Sequence, residues 1–350
     1  MKKIYKLVLL IFLLLGVIVF LFYPLDYYIY KPGSTYNTAD FVTVDGADED
    51  DEGSFSLTTV AMMKGTPLTY VTASMRDFYE VRKMNEVRLE EEDDEEYEVR
   101  QIKMMDDSKF NAISVAFDQA GLTYEVDYKG LYILNVYEGS SAEGKIRPGD
   151  TIVEVENEKV ESIDHFQEQI GPLEEGKEIE LVLDRNGELL TETILLKKIP
   201  GLDGQVGIGI SYNEIKSIKS DPHVDMATED IGGPSAGLMF TLEILNQLMD
   251  EDLTKGYDIA GTGEMHTDGT VGRIGGIEKK VVSAHKEGKD YFFAPDDEIT
   301  DNIKARNPGI QSNYETALET AEKIGTTMEI VPVKSIDDAL AFLEKLEPKN

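Results

Sequence analysis

Ser235 stands in the segment Gly232-Gly233-Pro234-Ser235-Ala236-Gly237, which feeds directly into an apolar stretch with helical spacing. Glycines let a backbone approach a substrate closely, and Pro234 pre-sets the turn. A serine so placed lies at a helix N-terminus, among free N–H groups suited to a developing oxyanion. Gly232, Gly233, Pro234 and Ala236 form the loop expected to face that charge. The bland alternative is a glycine-rich turn whose serine only caps the helix. A serine alone is a poor nucleophile, so the active reading requires a base within hydrogen-bond reach.

Three bases compete. His266 and His285 follow the serine, and Gly233-x-Ser235-x-Gly237 also fits a nucleophile elbow with a Ser-His-Asp triad. An elbow is fed by a buried strand, however, and Met226 to Asp230 is polar. Ser283-x-x-Lys286 matches a Ser-x-x-Lys site but has no glycine loop. The third base is a lysine from Gly275-Gly276-Ile277-Glu278-Lys279-Lys280. A lysine acts as a base only where burial strips water from its ammonium and lowers its pKa. Val281 and Val282 supply such a setting, but spacing does not choose between Lys279 and Lys280.

The elements that must position these residues read as α/β. Val206 to Ile210 and Tyr291 to Ala294 have the composition of buried strands. Leu238, Met239, Leu242, Leu245, Leu248 and Met249 recur at helical spacing, as do apolar residues from Tyr314 to Ile324. Ser335 opens a last helix with a capping-box pattern. Residues 122–198 read instead as short strands separated by turns. Asn186-Gly187 between two strand patterns is a strong hairpin signal, because both residues tolerate positive φ. Ser162 or Asp164 can cap a short helix through Ile170 that carries His165. Over residues 31–121, Ser54 to Met62 suggests a strand and Lys109 to Gln119 a helix. The acidic run Glu90 to Glu96 between them is expected to be a solvated loop.

Two resemblances follow from these motifs. Lys129-Gly130-Leu131-Tyr132-Ile133, then Arg147-Pro148-Gly149-Asp150, a helix and closing strands resemble a PDZ domain. That implies a loop at Gly130, Leu131, Tyr132 and Ile133 that receives a peptide's terminal carboxylate, the peptide adding as a strand. Gly233-Pro-Ser-Ala-Gly237, Thr262-Gly263-Glu264, and Gly269 through Ile274-Gly275-Gly276-Ile277 to Lys280-Val281 and Gly288 resemble the proteolytic domain of the Lon family. This resemblance implies Ser235 as nucleophile, Lys280 as general base and Thr262 as the hydroxyl that steadies the lysine. Many Lon enzymes carry an acidic residue where Gly232 stands. The whole order is similar to membrane-anchored, PDZ-containing Lon-like proteases of Gram-positive bacteria.

At the N-terminus, Leu7 to Leu25 is a run of 19 residues without a charge, behind Lys2, Lys3 and Lys6. At about 1.5 Å per residue it is long enough to span a bilayer, with the lysines on the cytoplasmic side. The expected fold class is therefore multidomain: a transmembrane helix, a mostly-β PDZ-like domain and a C-terminal α/β Lon-type domain. The expected divisions are a cytoplasmic tail 1–6, an anchor 7–25, an extracytoplasmic region 31–121, the PDZ unit 122–198 and the proteolytic unit 201–347.

Composition bounds what such a chain does. A net charge of −34 repels a phosphate backbone, so nucleic acid is not an expected partner. No cysteine is present, which excludes disulfides and thiolate chemistry, and the four histidines show no metal-ligand spacing. No Gly-x-x-x-x-Gly-Lys-Ser/Thr loop occurs, so neither nucleotide nor any other cofactor is expected. The expected function is a cell-surface, ATP-independent serine endopeptidase acting on exported peptides or membrane-associated proteins. Its partners would be a substrate held by its C-terminus at the PDZ unit and the lipid bilayer through residues 7–25. The alternatives are a non-catalytic PDZ scaffold and an esterase with a Ser-His-Asp triad.

Overall fold

A computed structural model describes the chain apart from residues 1, 48–51, 90–91, 172–173, 202–203, 229–230, 250 and 350. Part of the acidic run at 90–96 therefore lies outside the described residues. The first element is the helix Lys2–Leu21. Its span Lys3–Leu21 is, among the described residues, the one helix long and apolar enough to cross a membrane. It stops four residues before the expected end at Leu25, because Pro24 biases the residue ahead of it away from helix.

One mixed sheet runs through the C-terminal unit and the region before the second sheet. Its strands lie in the order Glu329–Val333, Tyr291–Pro295, Asp258–Gly261, Ser54–Lys64, Tyr27–Asn37 and Glu80–Lys83. The first four run parallel, and the last two add antiparallel. The expected separation of residues 31–121 from the proteolytic unit is corrected here. Ser54–Lys64 pairs with Asp258–Gly261 through Phe55 opposite Ile259 and Leu57 opposite Gly261. Phe55 and Leu57 are buried in the same core as Phe240, Leu242 and Phe293, so neither half could bury its apolar face alone.

The acidic run is also not simply a loop. Asp93 caps a helix that continues as Asp94–Ala120, with Asp94, Glu95 and Glu96 in its first turn. Carboxylates there face unpaired N–H groups and the positive end of the helix dipole, so the run starts the helix. At about 1.5 Å per residue it is roughly 40 Å long. Gly121, at φ 69°, ends it.

A second sheet runs Ile210–Ser220, Tyr124–Val136, Thr151–Val155, Glu178–Arg185, Glu188–Leu195. The hairpin at Asn186-Gly187 has φ of 54° and 84°, as two positive-φ positions require. Leu131, Ile133, Ile152, Phe166, Leu181 and Leu183 fill a separate core. Val206 to Ile210 is not the single buried strand expected from its composition. Val206–Gly207 pairs only with Lys197–Lys198, and Ile210 begins the long strand that joins this second sheet. That pairing runs from Ile210 opposite Val136 to Ser220 opposite Tyr124, with register shifts after Ser211 and Ile215. The boundary expected at residue 201 therefore falls ahead of a strand that completes the neighbouring unit.

Candidate active site

The loop that carries Ser235 is built by close approach. Gly233 has φ 85°, a conformation glycine adopts freely. The helix Gly237–Leu248 begins directly behind Ser235. A Cβ on Gly237 would lie 2.8 Å from the Met265 nitrogen, so only glycine lets this turn seat against the neighbouring chain. The long helix grips the loop from outside. Gly233 N–H donates to the Gln101 carbonyl at 3.1 Å, and Ser108 Oγ donates to the Pro234 carbonyl at 3.2 Å. A Cβ on Gly232 would stand 3.1 Å from the Gln101 Cβ, which gives a physical reason for glycine there.

Lys280 comes from the helix Ile277–Lys286, which opens at Gly276 with φ 70°. Its Nζ lies 2.8 Å from Ser235 Oγ, 3.0 Å from Thr262 Oγ1 and 2.8 Å from the Thr58 carbonyl oxygen. The side chain is buried, and burial pulls its pKa from 10.5 down to about 7. Thr262 Oγ1 donates to the Ser235 carbonyl at 2.8 Å, beside Gly263 N–H at 2.9 Å. With its proton so committed, the Thr262 oxygen can only accept from the lysine. A neutral Lys280 then places two N–H bonds on Thr58 and Thr262 and turns its lone pair to the Ser235 hydroxyl.

The other bases sit elsewhere. Lys279 Nζ is 2.7 Å from Glu80 Oε2 and also pairs with Glu278, so its charge is neutralised away from Ser235. His285 Nδ1 meets Thr326 Oγ1 at 2.9 Å. The His266 ring lies against Gly272, and among the described residues neither histidine bonds Ser235. Ser283 Oγ donates to the Lys279 carbonyl within its own helix.

Of the loop expected to face an oxyanion, Gly233 has its N–H engaged by Gln101 and Pro234 has none to offer. The N–H groups of Gly232, Ser235 and Ala236 have no acceptor among the described residues. Ser235 opens onto a cleft of about 770 Å³, whose wall includes Tyr30, Met62, Tyr97, Met104 and Ile231. Thr58 and Gln101 were not foreseen from sequence. Each acts through a backbone carbonyl, which leaves no side-chain signature.

Gly130, Leu131, Tyr132 and Ile133 do not form the open carboxylate loop expected of them. They lie inside the strand Tyr124–Val136, paired through Leu131 and Tyr132 with Ile152 and Thr151 on one edge. On the other edge they pair with Ile215, Glu214, Asn213 and Tyr212. Both edges of this strand are therefore paired by the chain itself, with Ile210–Ser220 as the end strand of the sheet. Tyr212 packs edge-on against Phe166 of the helix Ile163–Ile170, with ring centroids 5.2 Å apart. His165 Nδ1 accepts the Glu161 N–H at 3.3 Å and closes the turn ahead of that helix.

Comparison with known proteins assigns two domain families to the chain. Residues 112–196 match the PDZ domain family, and residues 208–343 match the Lon protease (S16) C-terminal proteolytic domain. The chain is 25% identical over 181 residues to a Lon protease of Elusimicrobium minutum, covering 51% of this chain and 19% of that protein. It is 28% identical over 142 residues to a Lon protease of Acinetobacter baumannii, covering 41% and 16%. The chain thus spans under a fifth of the length of these curated relatives. The PDZ domain of the SdrC-like protein of Listeria innocua is 27% identical, covering 24% of this chain and 93% of that one, with a TM-score of 0.23. The chain joins a PDZ domain to a Lon-type C-terminal proteolytic domain.

Proposed function

We propose that this chain is an ATP-independent serine endopeptidase that uses Ser235 as nucleophile and Lys280 as general base. The observation that carries the reading is the buried Lys280 Nζ at 2.8 Å from Ser235 Oγ, with two further acceptors fixing its direction. Neutral Lys280 takes the hydroxyl proton as Ser235 Oγ bonds to the peptide carbonyl carbon. The oxyanion is held by the N–H groups of Ser235 and Ala236, just ahead of the helix Gly237–Leu248, and of Gly232 in the preceding loop. Lys280 returns the proton to the leaving amine, and the C–N bond breaks. Water, deprotonated by the same lysine, then clears the acyl-enzyme. Thr262 is the residue that keeps both partners in place.

The helix Lys2–Leu21 anchors the chain in a membrane, with its lysines cytoplasmic and the catalytic part outside. The substrate is an extended or loosened segment, because a cleft of about 770 Å³ accommodates a peptide and not a folded domain. The PDZ domain selects that substrate by its C-terminus. To do so the incoming peptide must displace Tyr212 to Ile215, which hold the strand edge with the same pairing.

The test is to trap the acyl-enzyme. The full chain is mixed with a peptide p-nitrophenyl ester, quenched in acid and mapped by mass spectrometry. The acyl group on Ser235 supports the reading, and its appearance on another residue contradicts it.

A further inference from the structure

The chain is acidic almost throughout, yet from Gly53 to Arg76 it holds no Asp or Glu. The second half of that stretch is the short helix Pro67–Ala73 and the turn after it. Apolar side chains stand out into solvent there: Leu68, Tyr70, Val71 at 57% exposure and Met75 at 82%. A soluble acidic surface rarely leaves such a group uncovered. Its position says what covers it. Leu25, just past the apolar helix, donates its N–H to the Gly65 carbonyl at 2.8 Å. Tyr27 packs edge-on against Tyr70, with centroids 5.5 Å apart. Exposed Phe22 and Tyr23 continue the patch toward the apolar helix.

We propose that Pro67 to Met75 is a membrane-surface platform that lies in the headgroup region of the bilayer crossed by Lys2–Leu21. The inference rests on the anchor reading above. Three properties suit that occupant. Aromatic residues at the end of a spanning helix prefer the interface, and a short apolar face beside it enters the headgroup boundary by about 5–10 Å. The missing acids remove repulsion from anionic lipid. At the two ends of the patch Lys64 pairs with Asp94 at 2.6 Å and Arg76 lies over the Tyr79 ring, so the apolar side chains rather than these cations carry the contact with lipid.

The platform would also set where cleavage happens. Lys64 pairs with Tyr28 beside it, and two residues further along the same strands Met62 pairs with Tyr30. Tyr30 and Met62 line the catalytic cleft. Two residues of strand rise about 7 Å, so one wall of the cleft stands just above the lipid surface. Substrate segments leaving the membrane would enter it first.

The chain contains no tryptophan, which gives the test a silent background. Single variants Val71→Trp and Met75→Trp, both at exposed positions, are reconstituted as full chain in vesicles of phosphatidylcholine brominated near the headgroup end of its acyl chains, with a parallel set brominated near the chain ends for the position at mid-membrane. Phe12→Trp reports the anchor, and Leu189→Trp, exposed on the PDZ hairpin, reports the distal surface. The proposal predicts bromine quenching and blue-shifted emission at positions 71, 75 and 12, with neither at 189. Quenching at 12 but not at 71 and 75 overturns the platform, whether their emission is red or, beneath a second copy, blue. Equal quenching at 189 overturns its assignment to this patch. No quenching at 12 refutes the anchor itself.

Discussion

Lys280 Nζ donates to the carbonyl oxygen of Thr58 at 2.8 Å, across 222 residues of sequence. The strand before the PDZ domain and the helix after it therefore share one buried nitrogen. Thr58 and Thr262 aim two of its hydrogen-bond positions, and the third is left for Ser235. Removing the early strand would leave a buried lysine with an unsatisfied donor and no fixed direction.

Burial brings the Lys280 pKa from 10.5 to about 7. Catalysis needs the neutral amine, so kcat/KM should rise with pH through about 7 and level off above it. The stability effect has a definite sign. Between about pH 7 and 10.5 the unfolded chain binds one more proton at this site than the folded chain, so stability rises with pH across that window. Below it both forms are charged and burial costs most. Lys280→Met should therefore raise the melting temperature most below pH 7, with the gain fading toward pH 10.5, as thermal melts at several pH values will show. A variant advantage that grows with pH would contradict the assignment.

Thr262→Val removes the hydroxyl that accepts from Lys280 and donates to Ser235. Cleavage should fall by about 10–1,000-fold, on the scale of losing one oriented polar group in a site. The pH profile should move to lower pH, because the charged lysine loses an acceptor. Thr262→Ser should restore most of the rate, an outcome that a purely packing role for the methyl group does not predict.

Neither His266→Ala nor His285→Ala should change kcat by more than about threefold if the fold is kept, because neither ring bonds Ser235. Steady-state rates checked against circular dichroism decide this. A loss of about a thousandfold in either would restore the histidine triad.

Tyr212→Ala should loosen the strand that fills the peptide edge, by removing its contact with Phe166. Binding of C-terminal peptides, followed by fluorescence anisotropy, should tighten while cleavage of a short reporter changes little. Unchanged peptide affinity would remove the displacement step from the account.

These residues also mark how far sequence alone reaches. The loop Gly233–Gly237 was legible because glycine, proline and serine each carry a local constraint, and Asn186-Gly187 because its turn needs two positive φ angles. The helix capped by Ser335 was legible from its Asp338 partner. Thr58 was not, because a carbonyl has no signature and its pairing lies 222 residues away. The acidic run misled for a related reason. Carboxylates unfit for a core are well suited to a helix N-terminus, and composition does not separate the two. For Ile210–Ser220 no local feature names the partner strand, which is Tyr124–Val136, far earlier in the chain.

The central claim is that Ser235 and Lys280 together hydrolyse peptide bonds without nucleotide. The direct measurement is cleavage of an unfolded protein by the full chain in detergent, with Ser235→Ala and Lys280→Ala beside it. The full chain is needed because the strand Tyr27–Asn37 belongs to the catalytic sheet. The account predicts cleavage by the unmodified chain and loss of about a thousandfold or more in both variants, each with its fold intact. Cleavage that survives Lys280→Ala but not Ser235→Ala would contradict it.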